Sequence, residues 1–152
     1  MSYIMGERIV IKTADEDVTN STTLQDDDDL LFAVAANEKW QFEGVLQVAG
    51  HTDGDVKIAF TGPTGSVGMW GASGWDNASS LASPATAAEN LGSSDVLQLT
   101  SAAVMQIFRF WGAISNGSTA GSLKLQWAQN ASHATSTQMQ AGSYMKYRRQ
   151  AS

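Results

Sequence analysis

Trp40-Gln41-Phe42-Glu43-Gly44-Val45-Leu46-Gln47-Val48 is the stretch whose reading decides the fold. Residues 40, 42, 46 and 48 are apolar while 41, 43 and 47 are polar, a period of two that fits an extended strand with one buried face. The alternation recurs on both sides. It is seen at Leu30, Phe32 and Val34, at Val56, Ile58 and Phe60 around Lys57, and at Leu123, Leu125 and Trp127 around Lys124 and Gln126. Residues 8–12, 95–100, 104–114 and 137–148 read as four further strands. Residues 36–38, 51–55, 62–65 and 115–118 are rich in Gly, Asn, Asp and Pro, which accept positive φ or form side-chain turns. The expectation is an all-β chain, an antiparallel β-sandwich or jelly-roll-like fold of about eight strands.

Two segments depart from this pattern. Residues 71–94 are dominated by Ala, Ser, Gly and Asn and read as one long loop. Within that loop Ser83 caps, Pro84 takes the first helical position and Gly92 ends a short helix. Residues 104–111 are apolar at nearly every position. A strand there is either covered on both faces or uses one face to meet another subunit. Arg109 then lies at an exposed edge or against a distant acid.

At 152 residues the chain fits one domain, with residues 1–8 and 146–152 expected as peripheral arms and the 71–94 loop as an insertion. It contains no cysteine, which excludes disulfides, thiolate metal sites and cysteine nucleophiles. No apolar run approaches the roughly 20 residues of a membrane helix, and the first residues lack the basic start and apolar run of a secretory signal. The formal charge of −6 argues against nucleic acid as a partner, but its distribution is uneven. All 15 acids lie at or before Asp95; residues 1–95 carry four bases, for −11, and residues 96–152 carry five, for +5. These complementary halves either pair within the fold or meet between identical subunits.

Few residues suggest chemistry. Asp26 to Asp29 offer four carboxylates but lack the alternate spacing, turn glycine and closing glutamate of a calcium loop. They read as a solvated connection between a strand at residues 22–24 and the strand carrying Leu30. His51 beside Asp53 and Asp55 is a weak metal site on paper, and His133 has no local partner. Gly62-Pro63-Thr64-Gly65 lacks the lysine and helix of a phosphate loop. Glu38, Glu43, Asp53 and Asp55 could form glycosidase pairs, as acids in any acidic chain could. Among five tryptophans, Trp70 and Trp75 are flanked by glycines in a loop and are the candidate sugar-stacking surfaces. Trp40, Trp111 and Trp127 fall within strand patterns. Asn20, Asn77, Asn116 and Asn130 begin Asn-x-Ser/Thr sequences and read as ordinary loop residues. No metal, cofactor or catalytic constellation is expected, and the chain is not expected to be an enzyme.

The stretch from Asn20 to Gly44, NSTTLQDDDDLLFAVAANEKWQFEG, resembles a segment recurring in virion structural proteins of tailed bacteriophages. The stretches DVKIAFTGPTG from Asp55 and GSLKLQWAQNAS from Gly121, followed by AGSY from Ala141, look similar to the same family. The resemblance implies a β-sandwich building block on the virion, most readily a capsid decoration protein that self-associates, as a trimer, and binds the major capsid protein at the outer surface. On that reading the apolar run predicts a subunit interface at Val104, Met105, Phe108, Phe110 and Trp111, and the segments peripheral to the strand pattern predict capsid contacts at Arg8, Lys146, Arg148 and Arg149. A tail-fibre, receptor-binding or carbohydrate-binding module using Trp70 and Trp75 is the other reading.

Overall fold

The computed structural model describes residues 6–73 and 88–151. The described residues form twelve strands: β1 Arg8–Ile11, β2 Glu16–Val18, β3 Gln25–Val34, β4 Lys39–Ala49, β5 Val56–Thr61, β6 Val67–Ser73, β7 Glu89–Asn90, β8 Ser94–Leu97, β9 Gln106–Ser115, β10 Gly121–Ala128, β11 Thr137–Met139 and β12 Tyr144–Arg149. One sheet has the order β1-β12-β4-β9-β6-β7, with β11 joining β4 to β2; the other has the order β3-β10-β5-β8. All twelve described strands are nested partners, β1 with β12, β2 with β11, β3 with β10, β4 with β9, β5 with β8 and β6 with β7, and all six pairings are antiparallel. A single long hairpin whose successive pairs, from β2–β11 inward, fall alternately in the two sheets produces this arrangement.

The alternation read around Trp40 sets the layer order. Trp40, Phe42, Leu46 and Val48 point into the core, together with Leu30, Phe32 and Val34, Val56, Ile58 and Phe60, and Leu123, Leu125 and Trp127. Phe60 of the smaller sheet meets Phe42, Phe110 and Trp70 of the larger, with ring centroids 4.9, 5.0 and 5.2 Å apart. The β4–β9 ladder makes room for these rings by pairing Phe42 with Gly112 and Gly44 with Phe110. A Cβ on Gly44 would collide with the Tyr144 carbonyl and the Phe110 ring, and one on Gly112 with the Phe42 ring.

Several expectations are corrected. No helix occurs among the described residues. Of the expected helix at residues 83–92, residues 83–87 lie outside them; Glu89–Asn90 instead pairs with Met69 and Trp70, and Gly92 turns at φ +87°. The segment read as one loop contains the end of β6, all of β7 and the start of β8. Residues 137–148 divide into β11 and β12 about a turn at Gly142, φ +92°. Of the expected arms, residues 1–5 and 152 lie outside the described residues, whereas Arg8 opens β1, and Lys146, Arg148 and Arg149 lie in β12, between β1 and β4. The repeated aliphatic and aromatic residues of a pattern reveal a strand, whereas β2, β6 and β7 lack them and are held mainly by their neighbours.

The acidic run is also corrected. Asp26 to Asp29 lie inside β3, and no strand covers residues 22–24. Between Asp26, opposite Gln126, and Leu31, opposite Lys124, β3 bulges. Asp27 turns inward there, and its Oδ1 accepts the amides of Asp29 and Leu30 at 3.0 and 2.8 Å. Its Oδ2 lies 3.1 Å from Lys12 Nζ, which also donates to Glu16 at 2.7 Å. Both Lys12 and Asp27 side chains are essentially inaccessible. Burial disfavours the Lys12 ammonium, but Glu16 and Asp27 outweigh it and hold its pKa above 10.5. Outside the bulge, Asp26 accepts from Lys124 and Gln126, both at 2.7 Å, and these bonds hold its pKa below 3.8.

Removing one member of the buried pair should therefore cost about 3–5 kcal/mol, whereas replacing both with apolar residues costs far less. Urea unfolding of Lys12→Met, Asp27→Leu and the double variant measures this; additive losses would contradict the coupling. Lys12, with its raised pKa, contributes fully below 10.5, so its contribution should disappear as pH rises through the folded value. Asp26, with its lowered pKa, contributes above 3.8 and loses that contribution as pH falls through its folded value; Asp26→Asn should flatten the acid limb of stability against pH. Gly44→Ala should cost about 1–3 kcal/mol or more in the same assay, because the new methyl group has no space beside Phe110.

Candidate functional site

The inward set of β9 leaves an outward set on the other face of the larger sheet. Phe108, Phe110 and Ile114 are buried, while Ile107, Arg109, Trp111 and Ala113 face out. The nearly continuous apolar character of residues 104–111 is thus resolved: Val104 and Met105 precede the strand, and alternate aromatics occupy opposite faces. Phe108 and Phe110 belong to the core, which removes them from the expected subunit interface. Val104, Met105, Ile107 and Trp111 are 51, 46, 54 and 44% exposed. Arg109 stands between Ile107 and Trp111 on the exposed face, opposite Val45 and Ser73.

Trp111 lies in a concavity of about 670 Å³ on this face. Its register partners place it between Glu43 of β4 and Gly71 of β6, and Glu43 is in turn opposite Lys146 of β12. At Gly71 an added Cβ would stand 3.5 Å from Trp111 Cζ2, so the indole lies across this glycine and buries it. Met69, Gln41 and Arg148 complete the adjoining row. Arg148 donates to Gln41 Oε1 through Nε at 2.9 Å and through Nη2 at 2.7 Å. Glu7 pairs with Lys146 at 3.0 Å and holds the ammonium above its ordinary pKa. The site thus combines an exposed indole with an amide, a guanidinium, an ammonium and two carboxylates. Sequence reasoning assigned Trp111 to the core or an interface. The signal that distinguishes it is its parity with Arg109 and Ala113, opposite to Phe108 and Phe110.

The other candidates are distributed elsewhere. Trp70 is 1% exposed, packs edge-on against Phe60 and donates its indole N–H to the Asn90 carbonyl, so it is not a sugar-stacking surface. Trp75 lies outside the described residues. Among the expected capsid contacts, Arg8 is exposed at the start of β1, Lys146 is tied to Glu7, Arg148 to Gln41, and Arg149 to Glu38 at 3.1 Å. The ion pairs Lys124–Asp26, Lys146–Glu7 and Arg149–Glu38 join the basic and acidic halves inside one fold. Glu38 is oriented as a structural acceptor. Burial opposes its charge, but the Ala35 amide, the Trp40 indole and Arg149 leave its pKa below the ordinary value. Glu38 and Glu43 are five residues apart along extended chain, about 16 Å by strand rise, too far for a glycosidase pair. Asn116 is buried, donating to the Ala35 and Thr119 carbonyls.

One cluster escaped sequence reasoning. His51 and His133, 82 positions apart, stack with ring centroids 4.1 Å apart and planes inclined by 12°, and Asp53 joins them within 4.8 Å. The amides of Gly54 bonded to His51, and of Asn130 and Ala131 bonded to Gly54, bring the two turns together. Their Nδ1 atoms already accept the amides of Asp53 and Thr135 at 3.1 and 3.0 Å. Those bonds place each ring proton on Nε2, so a metal would have to displace a backbone donor or a ring proton and unstack the rings. The arrangement is better suited to joining two turns than to ligation. Asp55 is directed elsewhere, accepting the Leu99 amide at 2.8 Å; burial nevertheless raises its pKa.

No family model matches the chain, and no curated protein matches it. Among solved structures, one described as the structure of infectious bursal disease virus, Gx strain, aligns at 10% identity with a TM-score of 0.25. The alignment covers 96% of this chain and 41% of that one; a likeness at this level carries no argument.

Proposed function

We propose that the chain is a virion structural protein whose work is assembly, a decoration subunit that self-associates and binds the outer surface of a tailed-phage capsid. The observation that carries this reading is the apolar knuckle formed by Val104, Met105 and Ile107, each about half exposed where β9 begins. Contiguous exposed apolar residues of this kind mark association surfaces. The nested strand pairing adds support, since it is that of a rolled hairpin, the jelly roll, an architecture used by viral capsid and lectin domains. The sequence resemblance to virion structural proteins supplies the particle. Fold alone does not assign function, and the knuckle is therefore the feature to test.

In this reading the knuckle joins copies of the chain, as a trimer, and Arg8, exposed at the start of β1, is available to an acidic shell surface. Binding to the assembled shell stabilises it by mass action. Light scattering coupled to size exclusion should show an oligomer that Ile107→Asp weakens by about tenfold or more, with the dissociated subunit melting as the wild-type subunit does at high dilution. Undecorated heads should take up the protein in fixed stoichiometry and gain heat resistance. A monomer at all concentrations, or binding to tails in place of heads, would overturn the proposal.

A further inference from the structure

The concavity around Trp111 is separate from the knuckle, with Arg109 between them on the same face. Its floor belongs to β12, β4, β9 and β6, whose backbone groups are paired with one another across the sheet. A ligand lying on this face of the sheet therefore meets side chains first. The volume of about 670 Å³ falls in the range of small-molecule sites.

We propose that this groove binds a neutral saccharide, with Trp111 as the stacking platform. The apolar C–H face of a pyranose ring packs on an indole, and here the indole is spread over Gly71 with nearly half of its residue surface exposed. Hydroxyl groups at the ring's rim both donate and accept, and the surrounding side chains match both roles. Glu43 accepts, the Gln41 amide and Arg148 guanidinium donate, and Gln41 is already held in position by Arg148. The charges balance, with Glu7 and Glu43 against Lys146 and Arg148, so any charged ligand would meet a like charge as well as an opposite one. This composition selects an uncharged polyhydroxylated ligand over an anion, a cation or a purely apolar partner. The inference does not depend on the assembly reading, because it concerns the isolated chain.

The test is saturation-transfer NMR with calorimetric titration of the full chain. The probes are maltohexaose, cellohexaose, chitohexaose and mannohexaose, with hexameric hyaluronan and polygalacturonate as acidic comparators. At least one neutral hexaose should bind. Trp111→Ala should weaken that binding by about tenfold or more, Trp111→Phe should retain part of it, and Arg109→Ala should leave it unchanged, all at wild-type melting temperature. The proposal is overturned by absence of binding to every neutral probe, by equal binding to Trp111→Ala, or by preference for the acidic probes. A change of oligomeric state in Trp111→Ala without sugar binding would assign the groove to subunit contact and overturn it as well.

Discussion

The contact of Phe60 with Phe42, Phe110 and Trp70 is the constraint on which the rest of the structure depends. Three rings of one sheet converge on one ring of the other, and such rings bring the largest apolar areas in the core. Close packing there leaves no slack, which explains why Gly44 and Gly112 stand opposite Phe110 and Phe42 in the central ladder. Each glycine gives up side-chain packing of its own so that a cross-strand ring can lie over it. That interlock also specifies register, since a slip of one residue would move every aromatic of β9 to the wrong face.

The same parity determines what the outer face can do. Once Phe108 and Phe110 are committed to the core, Ile107, Arg109 and Trp111 must face away from it. The larger sheet therefore carries both surfaces with functional potential, the knuckle at the start of β9 and the indole-floored concavity further along. Elsewhere the polar residues act mainly as ties. Lys12, Glu16 and Asp27 link the turn after β1 to the bulge of β3 at the side where the sheets approach, and Asn116 joins two loops at one end. With no cysteine available, such buried polar ties supply specific cross-links that disulfides supply in other small β domains.

Much of the fold was readable because half-buried strands must alternate. The runs around Trp40, Leu30, Ile58 and Leu125 reveal the central strands directly, and the turns at Asn37, Asp55 and Gly65 take the positive φ that their residues suggest. Less was readable at the candidate site. Trp70 has glycine neighbours, which suggested a loop, yet it is a core residue of β6. Trp111 sits among aromatics, which suggested burial, yet it is the exposed indole. The acidic run misled for a related reason: composition indicates solvation, but a bulge can turn one carboxylate inward when it finds two backbone amides and an ammonium.

Local alternation and turn chemistry, both properties of neighbouring residues, suffice to determine that this chain is all-β, antiparallel and built on one apolar core. Whether a given aromatic faces inward, whether His51 meets His133, and which acid pairs with which base depend on residues distant along the chain. Only tertiary structure decides these, because register and sheet order bring together groups whose separation in sequence carries no signal of their contact. The groove is the clearest instance: Glu7, Gln41, Glu43, Trp111, Lys146 and Arg148 become one surface only when β12, β4 and β9, with Glu7 just ahead of β1, lie side by side.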